Sequence, residues 1–151
     1  MHQEDLCQLL NVPPTLKYQE DGGPGIEVCM RRIAEIHLPA ASRLNFIRMV
    51  LFNFLIGNCD AHAKNYAVLY HNGKPSFSPA YDLLSTMVYD NIAKRFALSI
   101  GGENRMGMIE RAHFERMADS CGSAVEHKRR FPTFSSMLPL FFCLGRGIIK
   151  L

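Results

Sequence analysis

No two cysteines in this sequence stand in a Cys-x-x-Cys spacing, although five are present, at positions 7, 29, 59, 121 and 143. None clusters with histidine in a zinc-like pattern. An odd, scattered set reads as reduced thiols in a cytosolic protein, mostly filling a core. Long apolar runs are missing as well. No stretch approaches the ~18 residues that a membrane-spanning helix needs. The opening MHQEDLCQLL is polar and acidic, unlike a secretory signal. A soluble, cytoplasmic protein with no membrane partner is expected. A basic surplus is absent from the main body. Residues 123–151 hold five Lys or Arg against one Glu (+4), which leaves residues 1–122 with 12 basic and 13 acidic groups (−1). With no basic face there, no direct binding to nucleic acid is expected. Internal repeats and low-complexity tracts are absent too.

What the chain does contain suits one globular domain. Its 151 residues are 48% hydrophobic and 21% charged, an ordinary soluble composition. A chain of this length buries roughly 68–70% of its unfolded surface. Residues 4–11 can form a short helix that Pro13 and Pro14 end. DGGPG at 21–25 is a tight loop; its glycines suit either a plain turn or a phosphate cradle, but no strand precedes it to support the cradle. Ile26, Cys29, Met30, Ile33 and Ile36 follow helical spacing, and Pro39 stops that run. The main helix follows, capped by Ser42 and carrying Leu44, Ile47, Leu51, Phe54 and Leu55 at intervals of three and four. Almost every residue from Met49 to Ile56 is apolar, so burial all round is expected, with Gly57 ending the helix. Residues 66–70 and 76–78 flank Asn72-Gly73 as a β-hairpin with a type I′ turn. RFALSI at 95–100 adds a strand, and residues 110–121 form a helix that Gly122 stops. The expected class is mainly α with a small β-hairpin.

The polar stretch GNCDAHAKN directly follows that apolar helix. Asp60 and Asn65 stand in D-x-x-x-x-N, the spacing of a kinase catalytic loop. There the Asp receives the acceptor hydroxyl's proton and the Asn holds Mg²⁺. A second metal-ligating Asp is required beyond the following hairpin, and Asp82 is in place. Folding the chain about Asn72-Gly73 sets position 65 opposite position 80, so Asn65 and Asp82 converge at the hairpin's open end. Two oxygen ligands meeting there suit one hard cation. The competing reading makes Asp60 and Asn65 turn residues and Asp82 a helix cap. His62 is either a donor to phosphates or a backbone-bonded loop histidine. Tyr81 either stacks on a base or packs in the core. Lys64 reads as a surface charge, and Gln3, Glu4 and Asp5 as a polar first helical turn.

HQEDLCQ, KYQEDGGPGI, LIGNCDAHAKN with PAYDLLS, and LSIGGENR, in this order, resemble the C-terminal lobe of HipA-type serine/threonine kinases, the toxins of bacterial toxin–antitoxin pairs. The likeness covers about residues 1–122 and implies a helical kinase C-terminal lobe. It implies Asp60 as catalytic base and Asn65 and Asp82 as Mg²⁺ ligands. It further implies His62, Tyr81 and Asp82 as the binding residues for ATP, with Gln3 near the active-site groove. A protein substrate such as an aminoacyl-tRNA synthetase, and an antitoxin partner, are implied as well. Two departures accompany it. The family's N-terminal lobe, with its phosphate-contacting Lys, is expected to be missing from this chain, and Lys17 lies in the wrong context to replace that Lys. Residues 123–151 carry none of these motifs and are expected to form a divergent tail. An isolated lobe of this kind is expected to be inactive alone. The alternatives are a small-molecule or lipid kinase with a related loop, and a catalytically dead interaction module.

Overall fold

In the computed structural model, residues 2–91 and 93–124 are described. The expectations for the 123–151 tail therefore lie almost wholly outside the described residues. Strand β1 (His2–Asp5) leads into a single turn of helix, α1 (Leu6–Leu9). Two longer helices follow, α2 (Ile26–Glu35) and α3 (Ala40–Ile56). The hairpin β2 (Ala67–His71) and β3 (Lys74–Phe77) comes next, then the pair β4 (Arg95–Ile100) and β5 (Glu103–Arg105), and finally α4 (Arg111–Ala124). The fold is mainly helical with two small antiparallel sheets, ordered β1-β2-β3 and β4-β5. No described helix is long and apolar enough to cross a membrane.

Four local expectations are corrected. Residues 2–5 are a strand, not the start of a helix, because His2–Asp5 pair with Tyr70–Ala67 on the open edge of β2. Tertiary pairing overrides a polar stretch with no strand propensity of its own. The helix begins only at Leu6, where Asp5 accepts from the Gln8 amide at 2.9 Å and the Gln8 side chain accepts from the Asp5 amide at 2.9 Å. This reciprocal pair satisfies two of the amides that a helix start leaves open. The main helix starts at Ala40, not at a Ser42 cap; Pro39 precedes it, its fixed φ of −52° suiting a helix entrance. Nor is α3 buried all round: Phe52 is 45% exposed. Gly122 does not stop α4, which continues to Ala124; a glycine inside a helix costs only about 1 kcal/mol.

α3 is the post around which the rest assembles. Near its middle, Phe46 is fully buried, with its ring 5.2 Å from Tyr66 and 5.9 Å from Phe77, which joins the helix to the three-stranded sheet. Near its end, Phe54 lies 5.3 Å from Phe96 and 5.1 Å from Phe114, which joins it to β4 and α4. Truncating one such ring typically costs about 3–5 kcal/mol. The cysteines at 7, 29, 59 and 121 are buried and free, as core filler should be. Burial holds the Cys29 and Cys59 thiols above their ordinary range.

Gly57 ends α3 in the left-handed conformation, with φ 69°. A side chain there would be strained, and its Cβ would also overlap Met87 Cγ. The tightness is functional in a structural sense. The Gly57 carbonyl accepts from the Thr86 amide at 3.0 Å and from Thr86 Oγ1 at 3.1 Å. Thr86 Oγ1 in turn accepts from the Cys59 amide at 2.8 Å. The end of the post, the loop after it and the segment after the hairpin are thus locked together.

Candidate active site

The loop leaving α3 is organised by two buried asparagines. Asn58, 1% exposed, donates through Nδ2 to Asn53 Oδ1 at 2.9 Å and to the Asp82 carbonyl at 3.1 Å. Its Oδ1 accepts from the Asp60 amide at 3.2 Å. Asn53 donates onward to Tyr66 Oη at 3.3 Å. One amide side chain therefore ties the helix post to both acids expected at the site. Neither asparagine was singled out from sequence. The one polar residue in the run MVLFNFLI, Asn53, was the available signal, since a buried amide needs partners.

The hairpin closes as its Asn72-Gly73 turn requires, with both residues at positive φ (49° and 75°). Val68 faces Phe77 and His71 faces Lys74, the register that sets 65 against 80. At the open end, Asn65 Nδ2 donates to Asp82 Oδ2. The Asn65 Oδ1 accepts from the His62 amide at 3.0 Å and keeps a second lone pair. Asp82 is exposed and itself left-handed, with φ 55°. An aspartate tolerates that region better than most residues, and such strain collects at functional positions. Among the described residues no three His, Cys, Asp or Glu side chains cluster as a metal site. A cation at Asn65 and Asp82 would meet a carboxylate and an amide oxygen, hard donors that suit Mg²⁺. Water or phosphate would have to fill the remaining positions.

His62 is 7% exposed and its Nδ1 is buried without a hydrogen-bond partner. Burial first, then the Lys17 charge, holds its imidazole below the ordinary range; Asp60 and Asp82 oppose that shift more weakly. A neutral, orphaned nitrogen within electrostatic reach of both acids is a group awaiting a partner. Tyr81 is half-buried and donates to the Lys64 carbonyl at 2.6 Å, bracing the loop against the segment after the hairpin. Asp60 lines a cleft of about 500 Å³ with Tyr18, Cys59, Leu84, Thr86 and Phe96. Asn65 and Asp82 do not line this cleft. Gln3 stands apart. It is exposed on β1 opposite Leu69 and makes no side-chain hydrogen bond to these residues. Lys17 places its ammonium 4.9 Å from the centroid of the Tyr18 ring.

The HipA-like C-terminal domain family model matches residues 1–136. Over 131 residues the chain is 35% identical to "Putative kinase Y4mE" of Sinorhizobium fredii, a match covering 86% of this chain and 31% of that protein. It is 31% identical over 113 residues to "Serine/threonine-protein kinase toxin HipA" of Shewanella oneidensis, covering 68% of this chain and 26% of that one. The chain thus spans about a third of the length of these relatives or less. Among solved structures, it resembles the Shewanella oneidensis MR-1 complex of HipA, HipB and operator DNA. The TM-score is 0.58 at 22% identity, over 95% of this chain and 42% of that one, a likeness of fold.

Proposed function

Since the chain belongs to the HipA-like C-terminal domain family, we propose that it is the C-terminal lobe of an ATP- and Mg²⁺-dependent serine/threonine protein kinase of the toxin–antitoxin type. The observation that carries this reading is the meeting of Asn65 and Asp82 at the hairpin mouth, on a loop whose Asp60 is fixed to the same buried asparagine as Asp82.

In this reading Asp60 accepts the proton of a serine or threonine hydroxyl as its oxygen attacks the γ-phosphorus. The new O–P bond forms as the bond to the departing ADP breaks. Asn65 and Asp82 hold Mg²⁺, which supplies charge neutralisation on the phosphates when bound. The orphaned Nδ1 of His62 supports a contact to the nucleotide, and Tyr81 is braced on the Lys64 carbonyl of the same loop. Positioning and charge stabilisation carry most of phosphoryl transfer, and the enzymes that perform it grip the phosphates with a lysine as well. We assign that lysine to a second lobe, as the resemblance implies, and expect the 151 residues alone to be inactive. An aminoacyl-tRNA synthetase-like protein is the proposed substrate. The solved relative assembled with HipB supports an antitoxin partner.

The test joins the chain to the N-terminal part of a relative such as Y4mE. Transfer from ATP to protein serine or threonine is then compared with transfer to aminoglycosides and phosphoinositides. Protein phosphorylation only in the joined form is expected. Transfer to a small molecule instead would overturn the protein-kinase reading, and failure to bind ATP would point to an interaction module.

A further inference from the structure

Asp60 already holds a hydroxyl. Tyr18 Oη donates to Asp60 Oδ1 at 2.6 Å across 42 residues of sequence, a length typical of a hydroxyl bonded to a charged carboxylate. Among the described residues Asp60 Oδ2 has no donor. The tyrosine is delivered by a fixed frame. Its carbonyl accepts from the Asp21 amide at 3.2 Å and the Gly23 amide at 2.9 Å, closing the turn that follows it. A Cβ on Gly23 would collide with the Leu16 and Tyr18 carbonyls, so this close approach requires glycine. The frame is pinned on two sides: the Ala63 amide donates to the Lys17 carbonyl at 3.3 Å, and the Ser99 amide donates to Gln19 Oε1 at 2.8 Å. The Tyr18 ring also meets His62 edge-on, with centroids 5.2 Å apart.

We propose that Tyr18 is a positioning residue for phosphoryl transfer: its hydroxyl occupies Asp60 Oδ1, fixes the carboxylate's rotamer and reserves Oδ2 for the acceptor hydroxyl. This rests on Asp60 being the base. Burial, then the bond to Asp60, pushes the Tyr18 phenol up to about 12, so it stays a donor at neutral pH. The residue lies on the wall of the cleft beside Asp60, the side from which an acceptor reaches the base without displacing groups at Asn65 and Asp82.

Two measurements test the proposal. In the 151-residue chain, NMR couplings about the Asp60 χ1 should report one rotamer, and Tyr18→Phe, which keeps the ring against His62, should average them. An averaged parent, or a single rotamer kept in the variant, overturns the role. In the chain joined to a relative's N-terminal part, Tyr18→Phe should lower kcat roughly 10–100-fold, the scale of a misplaced reacting group, with KM for ATP unchanged. Added to Asp60→Asn, the same substitution should change the residual rate less than about twofold, because residues acting as a unit are not additive. Equal losses in both backgrounds, or a loss confined to KM, contradict positioning through Asp60. If Asp60→Asn alone leaves transfer intact, the base assignment itself fails, and the χ1 couplings still decide whether Tyr18 holds Asp60.

Discussion

Replacing Asn58 with alanine should unfasten both acids of the site in one step. Three hydrogen bonds disappear with its amide: to Asn53 Oδ1, to the Asp82 carbonyl and from the Asp60 amide. Asn53 is 3% exposed, so its oxygen is left buried without a donor, at about 1–3 kcal/mol. The groups on Asp60 and Asp82 are only partly buried and can recruit water, at about 0.5–1.5 kcal/mol each. The total is about 2–6 kcal/mol, a large share of the ~5–15 kcal/mol that holds a domain together. Urea unfolding of the 151-residue chain measures the loss. Asn58→Asp is the sharper probe. It has nearly the same shape, but it sets an oxygen against the Asn53 oxygen and the Asp82 carbonyl, so it should do no better than alanine. A loss under about 1 kcal/mol for alanine, or tolerance of aspartate, would show that Asn58 only fills space. Amide shifts in the alanine variant should move at Asp60 and Asp82 and stay still at the Asn72-Gly73 turn.

Two further outcomes follow from the same geometry. Mn²⁺ titrated into the chain should bind weakly and broaden NMR signals around Asn65 and Asp82 first, and Asp82→Ala should abolish that selectivity; broadening that begins elsewhere would refute the metal assignment. His62 is held neutral by burial, below its ordinary 6.5, so under acid the unfolded chain binds a proton that the native state refuses. Its contribution to stability is therefore complete above pH 6.5 and lost as pH falls through the depressed native value. Urea midpoints taken from pH 7 to pH 5 should fall, and His62→Gln should flatten that slope; an unchanged slope would show that His62 is not the group responsible.

The hairpin was legible because its signal is local. Asn72-Gly73 fixes the turn, the turn fixes the register, and the register brings Asn65 to Asp82 without reference to the rest of the fold. The central helix was legible for a similar reason, since an apolar run closed by Gly57 needs no partner to be recognised. β1 was not. His2–Asp5 carries no β-branched residue and no Tyr, Phe or Trp, and only the open edge of β2 makes it a strand. Pro39 rather than Ser42 opens α3; the proline that stops one helical run also admits the next, which its role as a breaker hides. Tyr18 stands within KYQEDGGPGI without a legible role, because its partner lies 42 residues away and no spacing rule reaches that far. Asn58 does not stand out in a motif already crowded with polar residues. Its importance comes from burial, which composition does not report.

The central claim is that Asp60 takes the acceptor's proton. The most direct measurement is phosphoryl transfer by the chain joined to a matching N-terminal lobe, with Asp60 intact and as Asp60→Asn. The variant keeps the shape of the side chain and its place as acceptor for Tyr18 but cannot take a proton as a carboxylate does. Transfer should fall about 10²–10⁴-fold, the range for losing a general base, with ATP binding retained. Transfer undiminished in Asp60→Asn would contradict the account, leaving GNCDAHAKN as a well-braced loop rather than a catalytic one.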